Sequence, residues 1–195
     1  MKFITAKNIC IFCVLFSINI FAQTAITFDN QGWNSDQILP SSFSISGYSF
    51  SSGEPFYTNY GYNFDVNSVS LYYVYQNIQS DHITITSPNN SLVKFVSLAA
   101  CQVSGISTDN LIVEGWNNSI LKYSETFPAN PNWTVYTLNY DNVNKIVIRL
   151  DSVGTGGLTD YNFDNFNFSQ AAFLPPSLSS PADNSSGNSL TPVLS

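Results

Sequence analysis

Apolar and polar residues alternate along most of the chain after residue 23, and this two-residue period predicts half-buried β-strands. The clearest example is the stretch Tyr-Asn-Phe-Asp-Asn-Phe-Asn-Phe at residues 161–168. The two aromatic residues before Asp164 share one face, whereas the two after Asn165 fall on the opposite parity. A strand that must keep its aromatic residues buried absorbs such a slip with a β-bulge, which we expect at Asp164 and Asn165.

The alternation predicts about nine or ten strands, and no segment after residue 23 has the sustained 3.6-residue period of a helix. The strands are expected at residues 26–30, 43–50, 68–75, 82–86, 92–100, 111–116, 120–127, 133–140, 145–150 and 161–168. Residues 51–63, with two glycines and a proline, are expected to form a loop. The sequence therefore predicts an all-β protein folded as a two-sheet antiparallel β-sandwich, a jelly roll.

The triplet Phe-Asp-Asn occurs twice, at residues 28–30 and 163–165. One copy belongs to the first predicted strand and the other to the last. We expect these two strands to lie side by side and to close the sandwich.

The two ends of the chain differ in composition from its middle. Residues 1–23 place two lysines before a short apolar run, the pattern of a secretory signal peptide that is too short to span a bilayer. The β-sandwich is expected over residues 24–173. Residues 174–195 are rich in Ser, Pro, Asn and Gly, as in a linker.

The charge of the chain limits its partners. Loss of the signal peptide leaves four of the six basic residues against 13 acidic ones, so the net charge changes from −7 to −9. Such a balance argues against nucleic acid and against insertion into or binding to anionic membranes. It suits calcium, a neutral polysaccharide or simple solubility outside the cell.

Five segments of the chain carry a resemblance to a known family: Ile112–Trp116, Ser124–Phe127, Trp133–Leu138, Val143–Ile148 and Phe163–Phe166. In this order they resemble a widespread secreted bacterial jelly-roll module that is similar to the galactose-binding-like and carbohydrate-binding folds. The resemblance covers roughly residues 24–170 and implies a jelly roll in a secreted or cell-surface protein. The tail from Pro175 to Asn184 resembles the opening of a fibronectin type III-like repeat, which implies neighbouring domains in a longer chain.

The resemblance also implies a structural Ca²⁺ where the first and last strands meet. Asp29 and Asp164 match the expected carboxylate positions, with Asn30 and Asn165 as further oxygen ligands. Calcium takes six to eight hard oxygen ligands, which bulged strand ends can supply. The alternative is that Asp164 and Asn165 only order their own bulge through side-chain-to-backbone hydrogen bonds.

Aromatic residues suggest a sugar-binding surface, because flat rings stack on pyranose rings. If Asn118 and Ser119 form the turn of a hairpin, Trp116 faces Leu121 and Tyr123 lies opposite Glu114. Trp116 and Tyr123 would then form one platform with an acidic edge at Glu114.

Tyr57, Tyr60 and Tyr62 form a second candidate platform. For any single aromatic residue, packing in the core is the simpler explanation.

The residues that could support catalysis are few. Glu114 and Glu125 are possible diagonal neighbours on the hairpin, but charged residues on a solvent face explain them better. His82 is the only histidine, and Cys101 lies in an apolar run that predicts burial. The sequence contains no metalloprotease, serine-hydrolase or phosphate-loop motif, so we do not expect an enzyme.

The resulting hypothesis is a non-catalytic secreted module that binds glycan or supports adhesion and is stabilised by calcium. Two alternatives remain open: a structural spacer in a multidomain surface protein, and an accessory domain of a polysaccharide hydrolase. The first hypothesis expects exposed, coplanar aromatic rings, whereas the spacer expects those rings to be buried.

Overall fold

The computed structural model describes residues 23–29, 31–34, 37–59, 69–75, 81–104, 109–151 and 159–171. Within these ranges the chain forms thirteen β-strands, one 3-10 turn at Pro88–Asn90 and no α-helix. The strands are β1 Thr24–Ile26, β2 Ile38–Leu39, β3 Ser42–Ile45, β4 Tyr48–Ser52, β5 Phe56–Asn59, β6 Ser70–Tyr75, β7 His82–Thr86, β8 Val93–Ser104, β9 Leu111–Asn117, β10 Ile120–Phe127, β11 Thr134–Val143, β12 Lys145–Leu150 and β13 Thr159–Gln170. No helix in this part of the chain is long and apolar enough to cross a membrane.

The strands form two antiparallel sheets. A seven-stranded sheet has the order β11-β8-β13-β6-β5-β2, with β1 also paired to β13. A six-stranded sheet has the order β10-β9-β12-β7-β4-β3. The core lies between the two inner faces. The predicted all-β, two-sheet antiparallel sandwich of the jelly-roll type is therefore confirmed.

The bulge predicted in the last strand is present. Asn165 adopts a positive φ of 48°, and the pairing of β13 with β8 shifts register between Asp164 and Asn167. The shift returns Phe166 to the inner face. There its ring contacts Phe50 of the opposite sheet at a centroid distance of 5.6 Å, so the bulge keeps the aromatic core continuous.

The predicted closure of the sandwich by the first and last strands is also confirmed. Before the bulge β13 pairs with β6, and after it β13 pairs with β1 through Thr24–Phe168 and Ile26–Phe166. Asp29, just after β1, accepts a hydrogen bond from the backbone N–H of Val69, just before β6, at 2.7 Å. The Asp29 carboxylate therefore links the two strands that share one side of β13.

Three local predictions are wrong. The first strand ends at Ile26, so Phe28 and Asp29 lie after it and not inside a strand at residues 26–30. Residues 43–50 form a hairpin, β3–β4, instead of one strand, because Ser46 and Gly47 both have positive φ values, 51° and 83°. Two consecutive residues with positive φ form a tight hairpin turn whose twist matches that of the strands. The dipeptide Ser-Gly is only a weak sequence signal for such a turn. Residues 56–59, expected to be part of a loop, form β5, in which Phe56 and Thr58 are buried.

Several predictions fall outside the described residues. These are the signal peptide except Gln23, the tail at 174–195, and the candidate site residues Asn30, Tyr60 and Tyr62.

Candidate functional site

The outer face of the six-stranded sheet is the open face of the sandwich. Along β7 and β12 the inward residues, such as Ile85 and Ile148, are buried, whereas the outward ones are half-buried or exposed. Across β3 and β4 the outward residues are serines. A strand sends alternate side chains to opposite faces, so the part of this surface formed by β3 and β4 is polar.

One row of side chains crosses this face from edge to edge, with one residue from each strand. Strand pairing joins Leu121 to Trp116, Trp116 to Lys145, and Lys145 to Thr86. The row continues through the pairs Thr86–Ser49 and Ser49–Ser44. At the usual spacing of about 4.8 Å between strands, it spans about 24 Å. We call these six residues the Trp116 row.

An ion pair between the buried Glu114 and the partly exposed Arg149 lies beside the row. Glu114, only 7% exposed, accepts hydrogen bonds at its Oε1 atom from Arg149 Nε at 3.0 Å and from Arg149 Nη2 at 2.8 Å. Its other oxygen, Oε2, accepts a hydrogen bond from Trp116 Nε1 at 3.1 Å. Both carboxylate oxygens are thus occupied, and the Trp116 indole is fixed in orientation. Such a charge-assisted network makes a rigid support for the exposed part of the face.

The Lys145 ammonium group lies over the Trp116 ring, with Nζ 4.6 Å from the ring centroid. This is a cation–π contact, worth about 0.5–1 kcal/mol at an exposed site. It places a positive charge and an aromatic ring at the same point of the face. Any ligand that stacks on this side of Trp116 meets Lys145 first.

Tyr123 is not part of this surface. It pairs with Gly115 and not with Glu114, because a bulge between Leu121 and Tyr123 shifts the register of β10. Its ring stacks on the buried ring of Tyr140, with centroids 4.7 Å apart and planes 4° apart. The predicted facing of Trp116 and Leu121 is confirmed, but the predicted pairing of Tyr123 with Glu114 is wrong. Trp116 and Tyr123 therefore lie on opposite faces of the hairpin and form no common platform.

Tyr57 lies on the outer face of the other, seven-stranded sheet. It pairs with Tyr72, and the two rings meet edge to face at a centroid distance of 6.0 Å. The Tyr72 hydroxyl donates to Asp160 at 2.7 Å. Both tyrosine rings are half-buried.

The middle of that outer face is not open. Asn162 and Asp164 of β13 are 0% and 1% exposed, and Cys101 of β8 is 2% exposed. Burial raises the pKa of the Cys101 thiol to about 11, which makes it a poor nucleophile at neutral pH. The predicted burial of Cys101 is confirmed. These covered polar residues cannot contact a large ligand directly.

The calcium candidates occupy the closure of the sandwich. Asp164 Oδ1 accepts a hydrogen bond from the backbone N–H of Asn165 at 2.7 Å, the local bond that orders a bulge. Asp29 is exposed and bonds to Val69 as described above. Among the described residues no group of three or more His, Cys, Asp or Glu side chains is placed to hold a metal ion.

The two glutamates considered for catalysis are not neighbours on one face. Glu125 pairs with the inward-facing Val113, and Glu114 pairs with Ser124. Glu114 points outward and is bound by Arg149. The two carboxyl groups therefore belong to opposite faces of β9 and β10.

Lys145, Arg149 and Thr86 were missed by the sequence analysis. Each belongs to a strand whose alternation is readable, but their placement beside Trp116 depends on strand order and register. The order β10-β9-β12-β7 is not the order of the sequence, so no local pattern could have grouped them.

No protein-family profile and no curated protein matches this chain. Among solved structures, it is similar to a family 29 carbohydrate-binding module from Piromyces equi, with a TM-score of 0.44 and 12% identity over 78% of this chain and 92% of that one. It is also similar to a family 22 xylan-binding domain from Paenibacillus barcinonensis (TM-score 0.43, 16% identity, 72% and 99% coverage). The K2 cleaved adhesin domain of Lys-gingipain gives a TM-score of 0.46 with 13% identity over 75% and 99% of the two chains. At these scores and identities the chain is not assigned to a family.

Proposed function

We propose that this protein is a non-catalytic glycan-binding or adhesive module, and that the Trp116 row is its binding surface. The observation that carries the proposal is the row itself. It combines an oriented indole, an ammonium group and three hydroxyl-bearing residues on a face about 24 Å wide, measured by the usual strand spacing.

The chemistry of the row suits an extended carbohydrate chain. An indole offers an apolar surface to the C–H groups of a sugar ring, and serine and threonine hydroxyls both donate and accept hydrogen bonds. The Glu114–Arg149 pair holds Trp116 in place before a ligand arrives, which reduces the conformational entropy lost on binding. Binding across this face requires no deep cleft, so a polymer can lie across the strands.

The spacer alternative draws support from a different observation. Every aromatic side chain in the described part of the protein is buried or half-buried, and none is fully exposed. A spacer needs no exposed ring. The two proposed functions differ in the role of Trp116, which is half-buried but lies on the open face. A glycan-binding module uses its ring to bind a ligand, whereas a spacer does not.

The test is binding of the wild-type protein and Trp116→Ala to a microarray of neutral and acidic polysaccharides. Truncation of a central aromatic anchor is expected to weaken binding at least about tenfold. The matched control is Tyr123→Phe, on the same hairpin but on the opposite face, which should bind as the wild type does. If the wild-type protein binds no polysaccharide, the spacer function replaces this proposal.

The module is further proposed to be secreted or cell-surface, to be followed by other domains, and to be stabilised by calcium at Asp29 and Asp164. The accessory role beside a polysaccharide hydrolase remains an alternative. The accessory role requires a catalytic domain in the same gene. Sequencing the gene beyond the codon for Ser195 tests for such a domain.

A further inference from the structure

We infer that the glycan bound by the Trp116 row is acidic, with carboxylate or sulfate groups on its sugars. This inference rests on the proposed glycan-binding function and names the class of glycan. It departs from the neutral polysaccharide that the net charge of the chain suggested.

The first support is the distribution of charge. The whole chain has 13 acidic residues against six basic ones. The outward positions of the six-stranded sheet, whose strands are all described, show the reverse: two basic residues, Lys145 and Arg149, accompany one carboxylate, Glu114. A chain so poor in lysine and arginine thus places two of them on one face.

The second support is the state of that single carboxylate. Glu114 is 7% exposed, and its oxygens are occupied by Arg149 and by the Trp116 indole. It is shielded from a ligand and balanced by Arg149. The Arg149 side chain remains 38% exposed, so part of it is accessible from the surface. The field that a ligand meets on this face is therefore positive.

The third support is the position of Lys145 over the Trp116 ring. A neutral sugar that stacks on this side of the ring must displace the ammonium group and break the cation–π contact. An acidic sugar instead pairs with the ammonium group, and its ring can lie beside the indole. The site as built therefore favours a ligand that brings negative charge.

The negative net charge of the protein does not oppose this arrangement at physiological salt. Interactions between exposed charges are largely screened beyond the Debye length of about 8 Å. The charges nearest the ligand are those of the face, not those of the opposite sheet.

The experiment compares binding of the full chain to polygalacturonate and to its fully methyl-esterified form, at low and at physiological salt. The two polymers share a backbone and differ in charge. We expect binding to polygalacturonate that weakens as salt increases, and little binding to the ester. Lys145→Gln should weaken binding up to about fivefold at low salt, the effect of an exposed ion pair. Lys94→Gln, on the other sheet, removes the same charge and should have no effect.

Each other outcome has one meaning. Equal, salt-independent binding to both polymers overturns the acidic-glycan inference and leaves the proposed function intact. Loss of all polysaccharide binding, acidic and neutral, overturns both. A comparison of dextran with dextran sulfate tests sulfate groups in the same way. If only dextran sulfate binds, and Trp116→Ala binds it equally well, the attraction is non-specific ion exchange and the inference fails.

Discussion

Replacement of Gly115 by Ala tests the inward placement of Tyr123. A Cβ atom at Gly115 would lie 2.8 Å from Tyr140 Cδ2, 3.1 Å from Val143 Cγ1 and 3.2 Å from Tyr123 Cδ2. Tyr140 is fully buried and donates from its hydroxyl to the Val113 carbonyl at 3.1 Å, so its ring cannot move freely. Overpacking of this kind costs about 1–3 kcal/mol.

Part of that cost is offset, because alanine in a strand is more favourable than glycine by about 0.5–1 kcal/mol. The midpoints of the two ranges leave a net loss of about 1 kcal/mol in the free energy of unfolding for Gly115→Ala. For a chain of this size the loss corresponds to a decrease in Tm of about 2–4 °C. Urea unfolding followed by tryptophan fluorescence, together with calorimetry, measures both quantities.

A double-mutant cycle with Tyr123→Ala isolates the cause. Removal of the Tyr123 ring gives Tyr140 space to shift, so Gly115→Ala should cost less in that background than in the wild type. An equal cost in both backgrounds, or no cost in the wild type, would refute the inward stack of the two tyrosines.

Two further predictions concern stability. The buried hydroxyl of Tyr75 has no hydrogen-bond partner among the described residues, and burial raises its pKa well above the ordinary value. Because the pKa of Tyr75 is higher in the folded than in the unfolded state, the stability of the protein is fully present below about pH 10 and decreases above it. Tyr75→Phe should therefore increase the free energy of unfolding by about 1 kcal/mol at neutral pH and make the protein more resistant to alkaline unfolding. A loss of stability in this variant would contradict the prediction. Calcium at the closure predicts a higher Tm in excess calcium than in chelator, and no such difference for Asp164→Ala. Coincident melting curves for the wild-type protein would contradict the calcium site and favour the role of Asp164 in ordering the bulge.

Much of the fold could be predicted because strands carry a local signal. The alternation of aromatic and polar residues located β13, and the change of parity at Asp164 located its bulge. The positive φ of Asn118 was predictable for the same reason, since asparagine tolerates this conformation. The division of β3 from β4 at Ser46 was missed, although the apolar residues change parity there, from Phe43 and Ile45 to Tyr48 and Phe50.

The candidate site could be predicted from the sequence only in part. The sequence by itself determined which residues share a face within each strand, and hence that Glu114 and Trp116 point the same way, because the two-residue period is a property of the backbone. Only the tertiary structure decided that Lys145 and Arg149 lie beside them and that Tyr123 does not. These placements depend on strand order and on a bulge in β10, which bring together residues that are distant in sequence. Such pairings are selected by the packing of the whole sandwich, so no single segment encodes them.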